Sequence, residues 1–412
     1  MRLQLRLRQI AGGGAGLAVA LVLGSAAAPA PALANNTEAS QRVTLFREPS
    51  SANPGVTVWH PQTNASAALG SSFNINAAYE VDIVSGASPA VFVDTVTSAT
   101  HFSDIRQEAR GGLSYERPDS GVAFGYSYGW EKDYKSQTVS GSAHSDLVDH
   151  NFTLALGYTH NFDSVCDANN SALAADPLHF ARLTSSAHCF DSTQTDVVTH
   201  RLHIDTFEPS LTWTMTPRLV VQAGGTIQVL DGFQSNPYRA VGLGSSNAQP
   251  QEHEPQFRQR YALFGRAAYA VPAARGSVAA MLRLYRDSWA VQAVTGEASM
   301  NKYVGPSLLF TLRGRYHIQQ AASFYRSAVE YRNFGPPGQY WTGDRELSPM
   351  SNYLAGAKMA LLRRPEQQHS SWFVEMELNL KVELLFYRLA PDAPNADRSF
   401  AHIWTGAFAM RF

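Results

Sequence analysis

Charged side chains recur along this chain at alternate positions. In "FRQRYALFGRAAYAV" (257–271) Arg258, Arg260 and Arg266 share one parity, and in "SLLFTLRGRYHIQ" (307–319) Arg313 and Arg315 do the same. In "WFVEMELNLKVELLF" (372–386) Glu375, Glu377, Asn379, Lys381 and Glu383 take the odd positions, with Trp372, Val374, Met376, Leu378, Leu380, Val382 and Leu384 between them. Residues two apart on one strand face lie about 6–7 Å from each other, near enough to share one electrostatic field. With Arg326 and Glu330 facing the same enclosed space, a cationic wall would meet an acidic one, an arrangement that orders polar solutes and water in a pore. The same groups paired into ladders would instead fill and stiffen that space. Both arrangements are open at this level.

Bond-breaking chemistry finds less support. Ser, His and Asp are abundant, but no nucleophile motif gathers them, so a Ser/His lipase or Asp/His protease ranks third. His200 and His203 fall on opposite strand faces and cannot act together as ligands, and "EHE" (252–254) reads as a solvated loop rather than a cation site. No metal and no cofactor are expected. Cys166 and Cys189 lie in one long polar segment, 163–197; their spacing excludes a CxxC-type site, and secretion favours a disulfide over free thiols.

The charged stripes need an element of period two. On a helix, steps of 100° would scatter Glu375, Glu377, Asn379 and Lys381 around the cylinder. On a strand they form one polar stripe opposite one apolar stripe. The segment is long for a soluble strand of about 5–6 residues and suits a tilted membrane-spanning strand of about 9–11. "GVAFGYSYGW" (121–130) repeats the pattern with Val122, Phe124, Tyr126, Tyr128 and Trp130 on one face and small residues on the other.

At the N-terminus, Arg2, Arg6 and Arg8 precede an apolar run that closes on Ala32-Leu33-Ala34, the pattern of a secretory signal peptide over 1–34. Removing those arginines leaves 30 basic and 34 acidic residues, a net charge of about −4, which gives no reason to expect nucleic acid as a partner. No further apolar run reaches the 18 or more residues of a membrane helix, so the chain is either periplasmic or spans as strands.

Spanning strands account for three further features. The chain ends in "FAHIWTGAFAMRF", with Trp404, Phe408, Met410 and Phe412 on one face, which resembles the strand signal read by the barrel-assembly machinery of Gram-negative outer membranes. Aromatic residues gather near strand ends, as the girdles of a barrel require. Short links such as "TPR" (216–218), "PAARG" (272–276) and "QQ" (319–320) alternate with long polar ones near 163–197, 233–256 and 335–349. Strands are expected near 42–48, 66–84, 104–117, 120–140, 146–162, 198–216, 218–232, 257–271, 277–294, 302–318, 320–334, 350–362, 371–388 and 400–412. That is an all-β, antiparallel, up-and-down transmembrane barrel of about fourteen strands, with twelve to sixteen allowed. The segment 82–104 departs from the pattern, falling where a short periplasmic turn is due.

Several stretches resemble a family of Gram-negative outer-membrane proteins known only as domain of unknown function 3570. They are Asp82 with "SGASP" (85–89), "EKDY" (131–134), "RDSW" (286–289), "RGRYHIQQAASFYR" (313–326), "TGDRELSPM" (342–350) and the terminal Phe412. The resemblance implies a signal-bearing barrel of the outer membrane and no assigned activity. The reading is therefore a barrel of 35–412 in outer-membrane lipid, acting as a passive pore for small polar or charged solutes. A structural or ligand-binding barrel with a closed lumen is the second reading.

Overall fold

A computed structural model of the chain describes residues 37–49, 55–87, 101–184, 189–190, 194–244, 249–363, 375–389 and 400–412. The expected signal segment 1–34 lies outside them. Sixteen antiparallel strands follow one another around a closed ring, each paired with its sequence neighbours, and the first meets the last. They are β1 (Thr37–Glu48), β2 (Val56–Leu69), β3 (Phe73–Ala87), β4 (His101–Arg117), β5 (Ser120–Trp130), β6 (Tyr134–Leu147), β7 (Phe152–Ala168) and β8 (Val197–Thr216). The second half comprises β9 (Leu219–Gly232), β10 (Phe257–Val271), β11 (Gly276–Asp287), β12 (Gln292–Val304), β13 (Leu308–Gln319), β14 (Met350–Arg363), β15 (Glu375–Leu389) and β16 (Phe400–Arg411). A short helix, α1 (Ala328–Phe334), interrupts the connection between β13 and β14.

The pleat sorts each strand by chemistry. Leu263 on β10 is 66% exposed and Leu312 on β13 53%, and both stand on the outer face with Phe124, Leu380 and Trp404. Water would not tolerate so continuous an apolar surface, whereas lipid does. Closure is the other half of that argument, because an open sheet edge in hydrocarbon would leave backbone groups unbonded at several kcal/mol each. Aromatic pairs mark the borders of the belt: Phe73–Tyr115 and Phe152–Trp213 near one rim, with ring centroids 4.9 and 5.4 Å apart, and Tyr316–Tyr353 and Phe386–Phe400 toward the other, at 4.8 and 5.1 Å. Among the described residues no helix is long and apolar enough to cross a membrane.

The two rims differ. One carries tight turns, including 70–72, 118–119, 217–218 and 305–307, with Gly70 and Gly305 at φ 70° and 67° in the left-handed region that glycine enters freely. The other carries the long connections 169–196, 233–256 and 320–349.

The strand count reaches the upper end of the expected range for identifiable reasons. The alternation pattern does not separate β2, β6 and β12, whose outer faces carry small or polar residues such as Ala65, Gly141 and Ala298. It also reads 320–334 as a strand, where the structure has a connection and helix α1. "QQ" (319–320) accordingly opens a long connection rather than a short link. With β2 present, β3 and β4 reach Ala87 and His101 at the rim of the long connections; 82–87 and 101–104 belong to the ladder, and 88–100 lie outside the described residues.

Candidate functional site

The inner face is the place where the charged stripes meet. Arg266, Met281, Glu297 and Arg315 form one row across β10, β11, β12 and β13, and Arg283 stands on the diagonal beside Arg266. Toward the tight-turn rim small or neutral polar residues such as Ser140, Gly157, Ala268 and Ser299 alternate on the inner face with charged ones such as Glu208, Lys358 and Glu377.

The arginines expected at the lumen divide into paired and unpaired groups. Arg258 is 7% exposed and binds Asp287 through Nε and Nη2 at 2.9 and 2.5 Å, with its guanidinium 4.1 Å over the Trp289 ring. Arg313 bridges Glu297 at 2.8 Å and Glu383 at 3.1 Å. The second contact crosses β14 at Gly356, where an added Cβ would lie 3.0 Å from the Glu383 side chain; glycine there lets the bridge pass. Arg260 donates to Gln228 at 3.0 Å, while Arg266 and Arg315 have no carboxylate partner among the described residues.

The expected acidic wall is neutralised locally. Glu383 also binds Lys381 at 2.8 Å, Glu377 binds Lys358 at 3.5 Å, and Glu375 lies 3.9 Å from Arg411. Strand β15 is thus a ladder of ion pairs rather than an acid stripe. Arg326 and Glu330 are not on a strand at all. Glu330 is the third residue of α1 and closes a capping box with Ser327, whose backbone N–H it accepts at 2.9 Å. About half a turn around the ring lies a second paired network: His60 with Asp82 at 2.7 Å, and Arg110 with Glu80 and Glu108 at 2.5 and 2.6 Å.

Above the lumen the long connections pack into a lid. Tyr331, Trp341, Val241 and Leu243 form one apolar cluster, and Trp289, Val291, Ala322, Phe324 and Leu347 form another. His253 and Trp341 exchange backbone hydrogen bonds at 3.0 and 2.9 Å, joining 233–256 to 320–349. The lid is tied to the ring at several points. Gln251 donates to Asp167 at the end of β7 at 2.9 Å, the Tyr238 hydroxyl donates to Asp133, and Arg345 reaches Glu48 at 2.9 Å while lying 4.8 Å over the Tyr387 ring. Cys166 and Cys189 are joined in a disulfide that fastens the connection 169–196 to β7.

The lid hides a charged cluster. "EHE" (252–254), expected in solvent, is buried: Glu252 is 1% exposed and Glu254 6%. Arg239 donates to both Glu252 oxygens at 3.1 and 3.0 Å and lies 3.2 Å from Asp344. The Thr342 hydroxyl lies 2.8 Å from Glu254 and 3.1 Å from Glu252, and accepts the Asp344 N–H at 3.0 Å. One hydroxyl proton cannot serve two carboxylates, so a proton on Glu254 completes the set. Burial first, and then Glu252 and Asp344 beside it, hold the Glu254 carboxyl well above the usual range. Burial would lower the Arg239 guanidinium, but Glu252, Asp344 and Glu254 together raise it. Among the described residues no group of three or more His, Cys, Asp or Glu side chains is arranged to hold a metal ion.

Sequence reasoning passed over Arg283, Arg239, Thr342 and Asp344. Arg283 was legible, since it shares a parity with Tyr285 and Asp287 in "RLYRD"; the lid residues had no periodicity to reveal them.

Four of the stretches that carry the family resemblance converge on this lid: Asp133 from "EKDY", Asp287 and Trp289 from "RDSW", Phe324 from 313–326, and Thr342, Asp344 and Arg345 from "TGDRELSPM". Residues 93–371 match the family described as "Protein of unknown function (DUF3570)". The chain belongs to this family. No curated protein matches it in sequence. Among solved structures it is similar to a bacterial polysaccharide outer membrane secretin, with a TM-score of 0.47 and 8% identity over 91% of this chain and 98% of that one. It is similar also to OmpT of Vibrio cholerae (TM-score 0.43, 7% identity, 91% and 96% covered) and to the CymD monoaromatic hydrocarbon channel (0.39, 8%, 92% and 90%). At these TM-scores none of them says what this member of the family does. The closed ring and its apolar belt make it an outer-membrane β-barrel.

Proposed function

We propose that this DUF3570 barrel is a passive pore for small polar or charged solutes. The observation that carries the reading is the closed ring of sixteen strands with a polar inner face. Eight strands enclose only their own side chains or a small ligand, whereas about 16–18 leave an aqueous channel. Exposed Arg266 and Arg283 project from the inner face into that space. In this reading the leader 1–34 is removed on secretion. The outward face of β16, with Trp404, Phe408 and Met410, together with Phe412 just after it, is what the barrel-assembly machinery and then the lipid meet.

A second reading, a structural or ligand-binding barrel with a closed lumen, is favoured by the lid and its ties to β1, β7 and β15. Single-channel conductance of the refolded protein in a planar bilayer separates the two. A pore gives steady steps, larger in an Arg345→Ala variant that unties the lid from Glu48. Silence of both proteins, each folded by circular dichroism, overturns the pore in favour of the closed barrel.

A further inference from the structure

The ion-pair pattern of the lumen is lopsided. Most inward carboxylates have a basic partner: Asp287 has Arg258, Glu297 and Glu383 share Arg313, Glu377 has Lys358, and Glu80 and Glu108 share Arg110. Glu208 on β8 is an exception. Several arginines have no carboxylate within 4.0 Å among the described residues, and four of them, Arg260, Arg266, Arg283 and Arg315, stand on the inner face of the single arc from β10 to β13.

One detail distinguishes this surplus from a merely solvated face. Arg266 and Arg283 are diagonal neighbours on adjacent strands, so their Cα atoms lie about 7–8 Å apart, and both are exposed toward the lumen. Two like charges at that spacing repel unless an anion sits between them, and guanidinium forks match planar or tetrahedral oxyanions in pairs.

We infer that the β10–β13 wall binds small multivalent oxyanions, carboxylate or phosphate, with Arg266 and Arg283 as the clamp and Arg260 and Arg315 flanking it. The inference rests on the pore reading for the anion's route and not for its binding. No bond is made or broken; the anion exchanges hydration water for guanidinium donors and leaves again.

The test measures two properties of the full refolded chain: citrate and pyrophosphate binding by calorimetry in detergent, and reversal potential in a planar bilayer across a KCl gradient. The variants are Arg266→Gln with Arg283→Gln, and an outward control, Arg286→Gln. The wild type binds both probes and passes chloride in preference to potassium. The double variant loses roughly tenfold or more in affinity, as the loss of about 1.4 kcal/mol implies, and loses the chloride preference, while the control keeps both. Tighter binding of citrate or of pyrophosphate identifies the carboxylate or the phosphate source, and either supports the wall. Equal probe binding in the double variant and the wild type overturns it, as does cation preference in a conducting wild type. A silent barrel whose citrate binding falls in the double variant keeps the wall and overturns the pore; a silent barrel that binds neither probe overturns both.

Discussion

The lid cluster and the β10–β13 wall are both charge-imbalanced, in opposite senses and in opposite surroundings. In the lid, Glu252, Glu254 and Asp344 crowd around Arg239, with Glu252 and Glu254 buried and Asp344 partly exposed. On the wall, arginines outnumber carboxylates, and Arg266 and Arg283 are exposed on the inner face. A buried excess of acid must be relieved by a proton held in place, whereas a wet excess of base is relieved by mobile anions. The first makes a fastening, and the second, in the reading proposed above, makes a surface that anions occupy and leave.

The contrast can be broken most sharply at Arg239. Arg239→Ala leaves buried carboxylates uncompensated and is expected to cost the lid about 3–5 kcal/mol, read as faster hydrogen exchange across 233–256 with the strands unchanged. Cutting the disulfide with Cys189→Ser should come next. Restoring the freedom of a segment with a sequence separation of 23 removes about 3 kcal/mol from the connection 169–196, measured by its protease sensitivity under oxidising conditions.

Proton linkage gives the third test. A carboxyl whose folded pKa lies above its unfolded one adds stability that is complete below the ordinary Glu range and is lost as pH rises through the raised value. Glu254 is such a group, so the lid should loosen on alkalinisation by about 1.4 kcal/mol for each unit that separates its folded and unfolded values. Hydrogen exchange of 233–256, corrected for intrinsic rate, follows the loss, and Glu254→Gln should flatten the profile. Smaller again is Gly356→Ala, whose Cβ crowds Glu383 and should weaken its bridge to Arg313 by about 1 kcal/mol, seen as a lower unfolding midpoint in urea. The least effect on stability belongs to the wall: Arg266→Gln should move that midpoint by no more than about 0.5 kcal/mol, because its charge is solvated.

The barrel was legible because lipid on one side and water on the other impose period two, and β10, β13 and β15 display it without interruption. It became illegible where the outer face is small, as with Gly296 and Ala298 in β12, and where the polypeptide leaves the sheet. Phe324 and Tyr331 look like strand residues in isolation; the lid supplies the apolar surroundings they need. The lumen arginines on β10 and β13 were legible by parity, but their partners were not, since Arg313 reaches Glu383 across an intervening strand through a glycine. "EHE" misled because three polar residues in a row carry no sign that an arginine and a threonine will bury them.

The ring has a seam. Of its pairings, fifteen join consecutive strands and one joins β1 to β16, where the hydroxyls of Thr44 and Thr405 lie 3.2 Å apart although 361 positions separate them in sequence. Hairpins between neighbours close short loops and form cheaply, whereas the seam closes nearly the whole chain on itself. Assembly can therefore grow strand by strand as a curling sheet with two open edges. The rate at which those edges find each other sets the time during which unbonded backbone is presented to anything else that can pair with it.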